Sequence, residues 1–391
     1  MKPYFDKKNI TILCKVVDNF GDIGFVYRLS RALTEIDETL TLRLVVSDLH
    51  SFSAIAPEVD ASKDKQFCYG WQIFDWNAAG TCTKAFSENP PAIILECFQC
   101  GRPDWLETLL FDGAEKEDCQ HETDAGIVQI MNIDYLTAEE YADDFHLLKS
   151  GTRNARIKKI NFMPGFTPKT GGLVLDRDFM KSRKEALHSA RRTGNDFSVV
   201  IFSYERDFSP VVKALSDFQK QSGKNVRALV AAGKSAAPFF YAWEQAGKPF
   251  EAEALPFMPQ QEWDALLCRT DFNFVRGEDS LSRACLSGVP FVWQAYIQDE
   301  DYHLVKLSAL NERLKPYIAK SLADARGAEI SAIYDTYTHN YNVGKDCADD
   351  LLALLLHAEQ LKDGFERFAE TLEANGNLAA HLLDWIRQLD F

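Results

Sequence analysis

Short apolar runs separated by amphipathic stretches fill most of the chain. Residues 10–17 and 42–47 read as strands, and 23–36 between them places apolar side chains at helical spacing. A helical piece follows at 48–56. Further strands are expected at 72–74, 92–97 and 126–131, with helical pieces at 105–110 and 138–144. Apolar strands alternating with amphipathic helices predict a parallel sheet covered on both faces. Residues 163–172 hold two prolines and three glycines and read as a crossover. The pattern then restarts with a helix at 178–191, strands at 197–202, 226–231, 271–275 and 290–293, and helices at 210–219, 260–267 and 281–287. The tail, at 302–311, 347–361, 364–374 and 377–389, has helical periodicity throughout. The expected architecture is α/β, with domains at 1–165 and 166–375. The last segment, 376–391, is expected to pack back on the first domain.

A length of 391 residues with 46% hydrophobic positions suits two cores rather than one. No apolar run reaches the roughly 18 residues of a membrane span, and the opening residues lack the apolar segment of a signal peptide. The expectation is a cytoplasmic protein with no membrane partner. A net charge of −15 removes the cationic surplus that nucleic-acid binding needs. The nine cysteines are scattered and odd in number, which argues against a disulfide framework. Cys97-Phe98-Gln99-Cys100 is the one CxxC; a zinc site would want a second pair, and a strand end explains it better than a redox centre.

The most informative stretch is Arg276-Gly277-Glu278-Asp279-Ser280, which follows a strand and opens a helix. A helix N-terminus presents unpaired N–H groups to an anion. Arg276 and Ser280 suit a diphosphate, and Glu278 and Asp279 suit sugar or ribose hydroxyls. The first half supplies a counterpart in Asp18-Asn19-Phe20-Gly21-Asp22-Ile23-Gly24. Asp22 is either the N-cap of the following helix or, with Asp18 at a sheet's carboxyl edge, a general base. Phe202 and Tyr204 end a strand, where they serve the core or stack on a nucleobase. Phe257 and Gln260 lie in a Pro-bounded loop that offers a backbone and an amide to a base. Gly233-Lys234-Ser235 lacks the first P-loop glycine, since Ala228 stands there, and reads as a turn. The first turn is not GxGxxG, which disfavours a dehydrogenase. No HExxH or GxSxG occurs, so neither a protein-ligated metal nor a serine hydrolase is expected. His303 and Asp299–Asp301 read as a solvated helix start.

In combination these blocks, with Met163-Pro164-Gly165-Phe166 and Gly288-Val289-Pro290-Phe291-Val292-Trp293-Gln294, resemble the bacterial protein-arginine rhamnosyltransferases that modify translation elongation factor P, the EarP family. The resemblance spans nearly the whole chain. It implies an inverting GT-B glycosyltransferase with two facing Rossmann-like domains, using dTDP-β-L-rhamnose as donor and neither cofactor nor metal. The first domain would bind elongation factor P and the second the nucleotide sugar. Asp22, Asp18 and Glu278 would be catalytic; Asn19, Phe202, Tyr204, Phe257, Gln260, Arg276, Glu278, Asp279 and Ser280 would bind the donor. Which of Asp18 and Asp22 takes the proton follows the family pattern, not their spacing. A transferase with another nucleotide sugar or acceptor, and a non-catalytic adaptor, are the competing readings.

Overall fold

The strand Asn9–Cys14 (β1) is buried along its whole length, its polar Asn9 and Thr11 as well as its apolar residues. The computed structural model describes residues 7–17, 20–112, 127–188, 195–323 and 325–389. The chain forms two units. The first comprises Met1–Leu136, Glu140–Arg177 and Asn375–Phe391, and the second Thr137–Glu139 and Asp178–Ala374.

In the first unit β1 is followed by α1 (Gly21–Ile36), β2 (Thr41–Val46), α2 (Leu49–Ile55), β3 (Lys65–Cys68) and β4 (Trp71–Asp75). Then come α3 (Ala79–Glu88), β5 (Ile93–Cys97), α4 (Asp104–Glu107), β6 (Val128–Ile133), α5 (Tyr141–Phe145), β7 (Lys149–Ser150) and β8 (Ile157–Phe162). Among the described residues these strands make one sheet in the order β3-β4-β2-β1-β5-β6-β8-β7, antiparallel only at its two edges. Successive strand residues point to opposite faces. Ile10, Ile12 and Cys14 therefore pack with Ile23, Val26 and Leu29 of α1 and Phe52 of α2. Leu13, Val45 and Ile94 pack on the other side with Phe86 of α3 and Trp105 of α4. The chain runs outward from β1 through β2 to β4, then starts again at β5 on the other side of β1. Such a reversal leaves a crevice at the carboxyl ends of the strands, where open α/β sheets bind ligands.

The second unit contains α6 (Arg177–His188, its first residue in the first unit), β9 (Asp196–Ile201), α7 (Ser209–Ser222), β10 (Asn225–Val230), α8 (Ala236–Gln245) and β11 (Glu251–Ala254). It continues with α9 (Gln260–Arg269), β12 (Phe272–Arg276), α10 (Glu278–Ser287) and β13 (Phe291–Gln294). Helices α11 (Tyr302–Ala319), α12 (Ala325–Asn342), α13 (Ala348–Leu356) and α14 (Ala358–Ala374) complete it. Its sheet is parallel throughout, in the order β11-β10-β9-β12-β13, and the reversal falls between β9 and β12. Helix α7 has Pro210 in its first turn and Gly223 at φ 72° after its last residue, the usual asymmetry of helix ends.

The final helix, α15 (Leu378–Arg387), returns to the first unit, where Leu378, Leu382 and Ile386 share a core with α1. Burying each such side chain contributes roughly 1.5–3 kcal/mol. Asn377 caps this helix through the Ala379 N–H and also bonds the Leu175 backbone in both directions. The first unit extends to Arg177, past the crossover at 163–172. Asp176 is held there by Arg28 at 3.0 Å, with both side chains shut off from solvent.

Several elements are absent from the expected set. β8 is hidden in sequence by Lys158 and Lys159, and β11, Glu-Ala-Glu-Ala, is a strand through its pairing with β10. Helices α3, α8 and α12 were likewise not expected. The helix expected at 347–361 is divided at His357, where α13 ends. His303 is buried rather than solvated, and its Nδ1 accepts the Gln298 N–H at 3.4 Å.

His146 accepts the Met163 N–H on Nδ1 at 3.1 Å and lies edge-on to Phe162. Burial, reinforced by His381, lowers its pKa to about 4. The unfolded chain takes up this proton near pH 6.5, so the stability contribution is full above that pH. It is lost as pH falls toward about 4. Melting temperature measured from pH 7 to 5 should fall more steeply in the native sequence than in His146→Gln.

Candidate active site

In the second unit, the strand ends flanking the sheet reversal carry the expected residues. Phe202 and Tyr204 follow β9 and Arg276 ends β12, and the two strands are neighbours. The Arg276 guanidinium lies over both rings, 4.8 Å from the Phe202 centroid and 4.6 Å from that of Tyr204. Each contact of this kind contributes roughly 0.5–2 kcal/mol, more where water is excluded. Phe202 also meets Trp263 edge-on at 5.0 Å, and Tyr204 meets Tyr296 at 5.8 Å. The Tyr204 N–H is fixed by the Gln294 side chain at 2.8 Å. The rings thus form a seat for Arg276, a role that strand-end aromatics do not announce in sequence.

Among the described residues no carboxylate pairs with Arg276, and its buried Nε has no hydrogen-bond partner. A half-buried cation without a counter-ion is costly unless an anion completes it. Its other flank is the turn after β10: a Cβ added at Gly233 would lie 3.8 Å from Arg276 Nη2. This places the discarded P-loop turn beside the guanidinium as a wall.

Gly277 has φ 73° and ψ 167°, a conformation nearly confined to glycine. It turns the chain from β12 into α10 in one residue, and the Trp293 indole N–H donates to its carbonyl at 3.2 Å. Glu278, Asp279 and Ser280 form the first turn of α10, all half-buried. Glu278 accepts from Lys306 of α11 at 3.1 Å, and Gln260, the first residue of α9, reaches Asp279 at 3.4 Å. These contacts bring Gln260, Asp279, Glu278, Arg276, Phe202 and Tyr204 into one constellation. Phe257, three positions before Gln260, is 54% exposed. Lys306 escapes sequence reasoning, because nothing distinguishes it from any other lysine on an amphipathic helix.

In the first unit Asp22 stands in the first turn of α1, at the reversal between β1 and β5. It is 3% exposed. It is not the N-cap: Phe20 occupies that position without a side-chain cap. The Asp22 carboxylate instead accepts the Val17 N–H at 2.7 Å, which ties the end of the loop back onto the helix. Asp18 and Asn19 lie outside the described residues.

The thiols of Cys14 and Cys97 are pushed well above the usual range, first by burial, then by a neighbouring thiol (Cys97 for Cys14, Cys100 for Cys97) and by the Asp22 charge. Burial takes Cys100 to about 12. Such thiols stay protonated and are poor nucleophiles. The CxxC begins at the last residue of β5, the strand end the sequence suggested. Phe98, at φ 60°, touches Phe25 on α1 and stacks on Tyr135 at 4.6 Å, closing this edge with aromatic rings.

This α/β chain of two units with parallel-stranded sheets and C-terminal helices has the GT-B fold. Solved structures share that fold. One reports EarP-mediated arginine glycosylation of translation elongation factor EF-P (TM-score 0.54, 21% identity, 97% of this chain and 99% of that one). Another is MurG of Acinetobacter baumannii (TM-score 0.50, 10% identity, 98% and 100%). The family model for the elongation factor P (EF-P) rhamnosyltransferase EarP matches residues 10–387, and the chain belongs to this family. Relatives named protein-arginine rhamnosyltransferase include that of Shewanella oneidensis, 32% identical over 80% of this chain and 82% of its own length. That of Pseudomonas aeruginosa is 28% identical over 96% and 99%.

Gly277→Ala tests the turn. No neighbour lies within 4 Å of the added Cβ. The backbone conformation alone should cost about 1–3 kcal/mol. An unchanged urea midpoint would show that the turn is not strained.

Proposed function

We propose that this enzyme transfers L-rhamnose from dTDP-β-L-rhamnose to an arginine side chain of elongation factor P, with inversion at the anomeric carbon. The family membership supports rhamnosyl transfer and the acceptor. The observation that carries the donor is Arg276, a cation seated on two rings at a helix start with no carboxylate partner among the described residues.

The chemistry asks for two things. An arginine guanidinium is a weak nucleophile, because its nitrogen lone pairs are delocalised and its pKa exceeds about 12. Asp22 is the base in this reading. One guanidinium nitrogen attacks the anomeric carbon, the bond from that carbon to the diphosphate oxygen breaks, and the nitrogen's proton passes to the Asp22 carboxylate. Asp18 orients the guanidinium through charge-assisted hydrogen bonds, and Asn19 contacts the donor.

The leaving diphosphate gains negative charge as the bond breaks. In this reading Arg276, Ser280 and the first N–H groups of α10 meet it, with no metal assigned. Glu278 stabilises the oxocarbenium-like sugar, and Asp279 binds the nucleotide's hydroxyls. Phe257 and Gln260 recognise the base. Phe202 and Tyr204 act on the donor chiefly by holding Arg276. Among the described residues, no helix is long and apolar enough to cross a membrane. We place the reaction in the cytoplasm.

Intact-mass spectrometry of elongation factor P incubated with the enzyme and dTDP-rhamnose tests the whole reading. A gain of one deoxyhexose, lost when the acceptor arginine becomes lysine, is expected. A gain only with a UDP-sugar would replace the donor, and no gain with any nucleotide sugar would favour an adaptor. Asp22→Asn should lower turnover roughly a hundred- to ten-thousand-fold. Calorimetric affinity for dTDP-rhamnose should persist in that variant; its loss would remove Asp22 from the base role.

A further inference from the structure

Lys306, the partner of Glu278, has no part in the mechanism above. Its ammonium and the Glu278 carboxylate are 3.1 Å apart, and the side chains are only 12% and 27% exposed. Lysine is seldom so enclosed. Its position is also unfavourable on its own account. Glu278 is the first residue of α10, so Lys306 brings a positive charge to the positive end of a helix. A cation there weakens the helix unless an acid offsets it, and a shielded ion pair adds little net stability over an apolar pair. What such a pair does supply is orientation: a carboxylate with one oxygen held by an ammonium keeps a single rotamer.

We propose that Lys306 is a positioning residue for the donor site, fixing the Glu278 carboxylate toward the sugar of the nucleotide-sugar donor. The proposal rests on the reading of Glu278 as a donor-site acid. Lys306 acts through Glu278, and α11 serves as a strut that ties the first turn of α10 to the rest of the second unit. An alternative, that the pair only braces the two helices, makes a different forecast, because bracing is independent of the donor.

The experiment is a double-mutant cycle on the full chain, read by calorimetric affinity for dTDP-rhamnose and by turnover. Lys306→Met should weaken donor affinity or turnover about tenfold, within the coupling range of side chains in contact. Lys306→Arg should restore most of that loss, and the melting temperature should hardly move. In a Glu278→Gln background, Lys306→Met should have no further effect. Equal effects of Lys306→Met with and without Glu278, or a drop in melting temperature with donor affinity and turnover intact, would overturn the proposal. Should Lys306→Met fail to fold, Lys306→Gln is read in the same cycle. If the native enzyme binds no dTDP-sugar at all, the donor assignment falls and this inference with it. Binding by the native enzyme together with additive variants sinks the positioning role alone.

Discussion

A guanidinium resting on two aromatic rings is the contact around which the second unit's chemistry is arranged. Arg276 could have been neutralised by Glu278 or Asp279, which follow it within three residues. Instead Glu278 is held by Lys306 and Asp279 by Gln260, while Arg276 is supported by Phe202 and Tyr204. Aromatic faces attract a cation without discharging it. Its charge is thereby left intact, and in the proposed reading a diphosphate at the start of α10 takes it up.

Both units place their chemistry by one topological rule. Each sheet starts in the middle, grows to one side, then resumes on the other, and its candidate residues stand at the carboxyl end of that reversal. In the second unit the reversal sets β9 beside β12, which is why Phe202 and Arg276, 74 positions apart in the numbering, make contact. In the first it sets β1 beside β5, so the charge of Asp22, in the helix after β1, is felt by Cys97 at the end of β5.

Legibility followed the strength of local signals. The strands β1, β2, β5, β9 and β12 are buried on both faces, and a run of apolar residues in a short span has few other outcomes. The edge strand β11, with a helix-favouring Glu-Ala-Glu-Ala sequence, becomes a strand only because β10 offers it hydrogen bonds. The lysines of β8 concealed its alternation in the same way. At the site, the identities of Arg276, Glu278, Asp279, Asp22 and Gln260 were visible as charge and amide at strand or helix ends. The contacts that hold them were not: Lys306 meets Glu278 from α11, and nothing local shows that Trp293 bonds Gly277 or that Gln294 bonds Tyr204.

Two α/β units with a helical finish, the strand–turn–helix junctions that carry charge and, through the motif order, the family are all legible along the chain. Local hydrophobic period and glycine at a turn are short-range physics, readable residue by residue. Only the tertiary structure decided that Phe202 and Tyr204 seat an arginine, that Asp22 is buried under the Val17 amide rather than capping its helix, and that Lys306 closes on Glu278. Those outcomes depend on which strand ends become neighbours and which charges share low-dielectric surroundings. Pairings across such distances are set by packing of the whole sheet, so no window of sequence contains them.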